Sequence, residues 1–165
     1  MKKWYNLINY LTQEKLVLAT AESCTAGEII ATLAKEGNCG DCLYIGYLVY
    51  QEQAKIKQLG VNKKTINQFT LTSEEVAREM AYGAFQHEEI NLTIATTGIV
   101  GQEEMDNIPP GTVCFAWGFK HQQKITIYSE TMHFDGSPAK RTLKASHYAL
   151  LQIMKYHQLF LKEGF

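Results

Sequence analysis

The sequence predicts an α/β fold: a single three-layer α/β/α domain with a mixed β-sheet, spanning residues 1–165. Three observations predict it. Helical and strand patterns follow one another in the order αβαβ(α)αβββα, as expected of helices packed on both faces of one sheet. The segment Leu16–Ala21 is almost continuously apolar, the mark of a strand covered on both faces. Two later strands meet at His121-Gln122 in a hairpin pattern, which brings antiparallel pairing into the sheet.

The elements follow in order. Trp4, Leu7, Ile8 and Leu11 recur at i, i+3, i+4 and i+7 and predict an amphipathic first helix. After the strand Leu16–Ala21, Ile29, Ile30 and Leu33 set a helix from about Thr25 to Lys35, stopped by Gly37, Asn38 and Gly40. Residues 43–50, rich in aromatic and β-branched side chains, read as a second strand. Residues 51–59 read as a short helix closed by Gly60, and 61–71 as a polar connection with at most one helical turn. Thr72-Ser-Glu-Glu75 has the form of a capping box and opens a helix that reaches about Glu89. Asn91–Thr97, Thr112–Lys120 and Lys124–Phe134 are strands. Ser137-Pro138 is an N-cap and N1 pair opening one long helix to about Lys162. Its near-heptad stripe, Leu143, His147, Leu150, Met154, His157 and Leu161, is broad enough for the core and a subunit contact, so a homodimer is expected.

Composition narrows the function classes. A net charge of −1 gives no electrostatic case for nucleic acid or an anionic membrane as partner. The apolar runs are too short to span a bilayer. Lys2 and Lys3 are followed by a stretch that Asn6, Asn9 and Gln13 interrupt, unlike an export signal, so a cytoplasmic location is expected. Cysteines 24, 39, 42 and 114 are then expected as reduced thiols. Cys39-Gly-Asp-Cys42 is a lone CxxC in a turn-forming stretch and lacks the second pair that a four-ligand zinc site needs. No metal and no cofactor are expected.

The chain has no P-loop, GxGxxG, GxSxG or HExxH motif. Three polar stretches instead fall just past strand ends, where open α/β sheets gather ligands. Thr20-Ala-Glu-Ser-Cys-Thr-Ala-Gly27 leads from strand to helix and exposes Ser23 beside the unpaired N–H groups of a helix start. Tyr50–Lys55 offers a lysine able to act as a base if burial keeps it neutral. Thr97, Gly98 and Gly101 form the third. Taken singly, each stretch has a plainer reading. Thr25-Ala-Gly-Glu28 fits a capping box, Lys55 a solvated lysine beside Lys57, Tyr50 a cover over the core, and the glycines ordinary turns.

Taken together, the blocks Ala21–Gly27, Tyr50–Val61, Ser73–Ala77, Thr97–Gly101 and Gly111–Val113 resemble, in order and spacing, the C-terminal domain of the CinA competence-damage family. The resemblance covers almost the whole chain. It implies a cytoplasmic, homodimeric amidohydrolase that converts nicotinamide mononucleotide to nicotinate mononucleotide and ammonia, or acts on a related small amide. It implies Ser23 as nucleophile, Lys55 as general base and Tyr50 as the residue orienting the pair. Backbone N–H groups after Ser23 would hold the oxyanion. Thr25, Thr97 and Gly98 would meet the substrate. Lys140 and Arg141, at the start of the last helix, would meet its phosphate in place of the family's Gly-Asp-Arg, which reads Gly136-Ser-Pro138 here. The stretch after Gly101 also departs from the family's Pro/Gly-rich loop: it is Gln102–Ile108, with three acids. That departure motivates an alternative, a nucleotide-binding module of the same fold with impaired turnover. A redox or metal protein built on Cys39 and Cys42 is a third reading.

Overall fold

Five strands form one sheet in the order β2-β1-β3-β4-β5: β1 (Leu18–Glu22), β2 (Leu43–Leu48), β3 (Leu92–Gly98), β4 (Thr112–His121) and β5 (Lys124–His133). The computed structural model describes residues 2–164. β1 pairs parallel with β2 and with β3, while β4 pairs antiparallel with β3 and with β5. The sheet is therefore mixed, as the hairpin pattern requires. β1 lies between β2 and β3, so the chain steps one way from β1 to β2 and then back past β1 to β3. The carboxyl ends of β1 and β3 then border the crevice where such sheets bind ligands.

Side-chain alternation builds the two outer layers. Leu18 of β1, Leu92 and Ile94 of β3, and Val113, Phe115, Trp117 and Phe119 of β4 face α1 (Lys2–Gln13), α2 (Glu28–Ala34), α6 (Pro138–Leu151) and α7 (Ile153–Glu163). Ala19, Ala21, Ala95, Cys114 and Ala116 face α3 (Glu52–Leu59), α4 (Lys63–Phe69) and α5 (Glu74–Gly83). Large residues hold one helical layer off the sheet, and alanines let α5 lie close on the other. All five residues of β1 are buried, as its apolar sequence predicts.

Several boundaries differ from the sequence reading, each for a local reason. Ser73, not Thr72, caps α5, its hydroxyl accepting from the Val76 N–H at 3.3 Å. That helix stops at Gly83 rather than near Glu89, because the Gln86 side chain donates to the carbonyls of Gly83 and Gln58 and ties the chain back. Residues 63–69 form a full short helix, capped by Asn62 through the Lys64 N–H. The last helix is two helices. The Trp117 indole donates to the Ala149 carbonyl at 2.8 Å, the carbonyl a straight helix would offer to Ile153, and the ladder breaks at that point. The heptad stripe is corrected with it. Ala145, Ala149, Leu150, Ile153, Tyr156 and Phe160 are buried, whereas Leu143, Met154 and Leu161 are exposed.

One glycine sets how closely α5 approaches α3. A Cβ on Gly83 would lie 1.8 Å from the Leu59 carbonyl oxygen and 2.7 Å from its carbon. Gly to Ala within a helix normally gains up to about 1 kcal/mol. Here the clash is with backbone, and forced shifts of that kind cost about 1–3 kcal/mol. Gly83→Ala is therefore expected to lower the urea midpoint, and a raised midpoint would refute this account of the packing.

Candidate active site

Strand parity decides which residues share a face at the carboxyl end of the sheet. Leu18, Thr20 and Glu22 face α2, so Ala19, Ala21 and the next residue, Ser23, face the α3/α5 layer. The Ser23 N–H donates to the Thr96 carbonyl at 3.1 Å and extends the parallel ladder one residue past β1. On β3 the same rule sends Thr96 toward α2 and Thr97 toward the α3/α5 layer.

On the α3/α5 side, Lys55 comes up from the first turns of α3 and is 1% exposed. Its Nζ lies 3.0 Å from Ser23 Oγ, 2.9 Å from the Val49 carbonyl oxygen and 2.9 Å from the Tyr50 carbonyl oxygen. Burial pushes the Lys55 ammonium down to about 8, with the Glu52 carboxylate opposing the shift more weakly. A neutral amine has two N–H groups and one lone pair. The two carbonyls can only accept, so they take both N–H groups. The lone pair is left for the Ser23 hydroxyl.

The Ser23–Lys55 pair opens into a cleft of about 470 Å³. Its wall includes Leu71, Thr72, Thr97, Gly98 and the 99–105 segment. Thr97 is buried and donates from Oγ1 to the Leu71 carbonyl at 2.8 Å, which joins β3 to the start of α5. Gly98 is required by close approach: a Cβ there would lie 2.5 Å from the Thr112 carbonyl oxygen. Residues 105–108 form a tight turn, with reciprocal hydrogen bonds between Met105 and Ile108 and positive φ at Asp106 and Asn107. That turn holds Glu103 and Met105 in the cleft wall.

On the α2 side, a second network supports the first. Glu22 is 1% exposed, and its carboxylate accepts from Thr25 Oγ1 at 2.8 Å, the Gly27 N–H at 2.9 Å, the Ile29 N–H at 3.2 Å and the Ile30 N–H at 3.3 Å. Thr25 Oγ1 also meets Thr96 Oγ1 at 2.8 Å. Thr25 is thus fully buried behind the turn and does not line the cleft. The Thr25–Glu28 capping box does not form, because Glu22 from the strand takes its place and Glu28 pairs with Lys35 instead. Ser23 also stands apart from the helix it was expected to open. The turn 23–27 intervenes, and Ala26 and Gly27 at its end adopt positive φ. The helix amides are taken by Glu22. Of the residues that follow Ser23 in the turn, Cys24 alone lines the cleft.

The remaining expected site residues are distributed as follows. Tyr50 lines the cleft mouth, but its side chain is 71% exposed, and its carbonyl is the group that contacts Lys55. Lys140 and Arg141 do not line the cleft. Arg141 donates from Nε to the Phe134 carbonyl at 3.1 Å and from its guanidinium to the Gly101 carbonyl at 2.5 Å, bracing the outer side of the cleft wall. Cys24 lines the cleft, yet burial pushes its thiol up to about 12, so it stays protonated and unreactive beside Ser23. Cys39 and Cys42 are free thiols in the core, with Cys42 Sγ donating to the Cys39 carbonyl. Among the described residues no group of three or more His, Cys, Asp or Glu side chains could hold a metal ion, and no helix is long and apolar enough to cross a membrane. Sequence reading placed Glu103 among the three acids of the 102–108 loop but missed Glu22. The one usable signal was for Glu22, an acid at the end of a strand buried on both faces.

Comparison with known proteins agrees with this architecture. Residues 3–157 match the family model of the CinA C-terminal domain. The chain is 36% identical over 155 residues to the protein YdeJ of Escherichia coli, covering 91% of this chain and 88% of that one. It is 33% identical over 147 residues to a CinA-like protein of Chlorobium phaeobacteroides, of which it spans about a third, 35%. Among solved structures, a competence or damage-inducible protein from Enterobacter asburiae superposes with a TM-score of 0.86 at 33% identity, over 93% of this chain and 94% of that one. A CinA superfamily protein from Escherichia coli gives 0.82 at 34% identity, over 93% and 90%. With the family model matching nearly end to end and solved members sharing the fold, this chain belongs to the CinA C-terminal domain family.

Proposed function

We propose that the chain is a serine amidohydrolase that releases ammonia from a small primary carboxamide, with Ser23 as nucleophile and Lys55 as general base. Amides of the nicotinamide nucleotide class, which the family resemblance implies, are the first to test. The observation that carries the reading is the 3.0 Å contact between Ser23 Oγ and a buried lysine whose other two partners are carbonyl oxygens.

The steps follow from that arrangement. Neutral Lys55 accepts the Ser23 proton as Oγ attacks the carboxamide carbon. The Cys24 amide, next to Ser23 in the cleft wall, receives the developing oxyanion. Lys55, now an ammonium, keeps two N–H groups on Val49 and Tyr50 and passes the third proton to the departing nitrogen. Ammonia leaves, and an acyl ester remains on Ser23. Water then repeats the sequence with Lys55 as base and regenerates the hydroxyl. No imidazole takes part, since no histidine lines the cleft.

Burial sets the working pH. A lysine titrating at 10.5 would be neutral in about one molecule in three thousand at pH 7, whereas one titrating near 8 is neutral in about one in ten. The kcat/KM for ammonia release from nicotinamide mononucleotide or its riboside is therefore expected to rise with pH along a limb centred near 8. A profile flat from pH 6 to 9, or activity untouched by loss of the Ser23 hydroxyl, would overturn the reading.

A further inference from the structure

The charges around the cleft bear on its substrate, and this inference rests on the amidohydrolase reading above. The cleft wall contains one cation, Lys55, and all three of its hydrogen-bonding positions are taken by Ser23, Val49 and Tyr50. It also contains the exposed carboxylate of Glu103, with Glu104 and Asp106 in the same segment. The chain's two arginines are both engaged elsewhere. Arg141 is spent on the carbonyls of Phe134, Val100 and Gly101. Arg78 lies in a neighbouring cleft that meets the first at Thr72, where it donates to Ser129 Oγ and shares the space with Glu74 and Glu75. Lys140 lines neither cleft.

Among the described residues, a phosphate group here would find no free guanidinium or ammonium in the cleft wall and would face the Glu103 carboxylate. A cation would be attracted by the same carboxylate. An N-substituted pyridinium carboxamide carries its positive charge on the ring next to the group to be hydrolysed, and a 5′-phosphate would more than cancel it. We infer that the natural substrate is a cationic or neutral carboxamide without a phosphate, of the pyridinium nucleoside type, and that Glu103 selects it.

The test compares ammonia release from nicotinamide riboside and from nicotinamide mononucleotide, in the wild type and in Glu103→Gln and Glu103→Lys. Glu103 is exposed, so both variants are expected to fold. The wild type is expected to favour the riboside in kcat/KM by about threefold to fivefold, a ratio one partly screened charge contact can supply. Glu103→Lys should abolish or invert that preference, with Glu103→Gln between. Preference for the mononucleotide, or a ratio unmoved by Glu103→Lys, overturns the inference and leaves the Ser23–Lys55 chemistry standing. Release that survives Ser23→Ala, or release from neither compound, overturns that chemistry and this inference with it.

Discussion

Replacing Ser23 by Ala is expected to reduce ammonia release by about a thousandfold or more, with the far-UV circular dichroism spectrum and urea midpoint close to wild type. The change removes one oxygen from a residue that is 7% exposed and leaves the backbone bond to Thr96 in place. Lys55 keeps its two carbonyl partners, and in its ammonium form the third N–H, left by Ser23, faces the cleft. Lys55→Ala should cost as much activity but also stability, since the carbonyls of Val49 and Tyr50 lose a buried donor, at about 1–3 kcal/mol each. The two residues act on one proton, so the double variant should be no slower than either single one. Steady-state kinetics on all three would decide it. More than about a tenth of wild-type activity in Ser23→Ala would refute the mechanism.

The largest stability effect is expected at a residue that never meets the substrate. Glu22→Ala strands the amides of Gly27, Ile29 and Ile30 and leaves the Thr25 hydroxyl with Thr96 alone. Hydrogen bonds to a charged acceptor contribute about 1.5–3 kcal/mol each but do not add fully, so a loss of about 3–5 kcal/mol is expected. Glu22→Gln keeps one acceptor oxygen but turns an NH₂ group toward donors, and it should fall between. Ammonia release should drop in both variants, because the turn that aims Ser23 loses its anchor. Urea denaturation measures the first effect. A loss below about 1 kcal/mol for Glu22→Ala would mean that the network is not what holds the turn.

Much of the fold was legible in residue order alone. The spacing of Trp4, Leu7, Ile8 and Leu11, the apolar run of β1 and the hairpin at His121-Gln122 are local patterns, and local patterns are what a sequence displays. Ser23, Lys55 and Thr97 were also legible as candidates, because each lies in a polar stretch at or just past a strand end. What could not be read was direction. Thr25 was expected at the substrate and Glu28 at the helix start. Both expectations turned on which face of the sheet follows Glu22, a question of one residue in register. The long final helix failed for a similar reason, since the Trp117 indole that breaks it comes from β4, more than thirty residues away in the chain.

The sequence by itself determined the alternation of elements, the apolar faces and the set of reactive side chains. These depend on contacts between near neighbours and on the chemistry of single residues. Only the tertiary structure decided that a buried strand-end glutamate occupies the helix amides, and that Arg141 is spent on carbonyls. It alone also decided that Lys55 is dry enough to titrate near 8. Hydrogen-bond partners and desolvation are set by what packs around a group, and those neighbours come from distant parts of the chain.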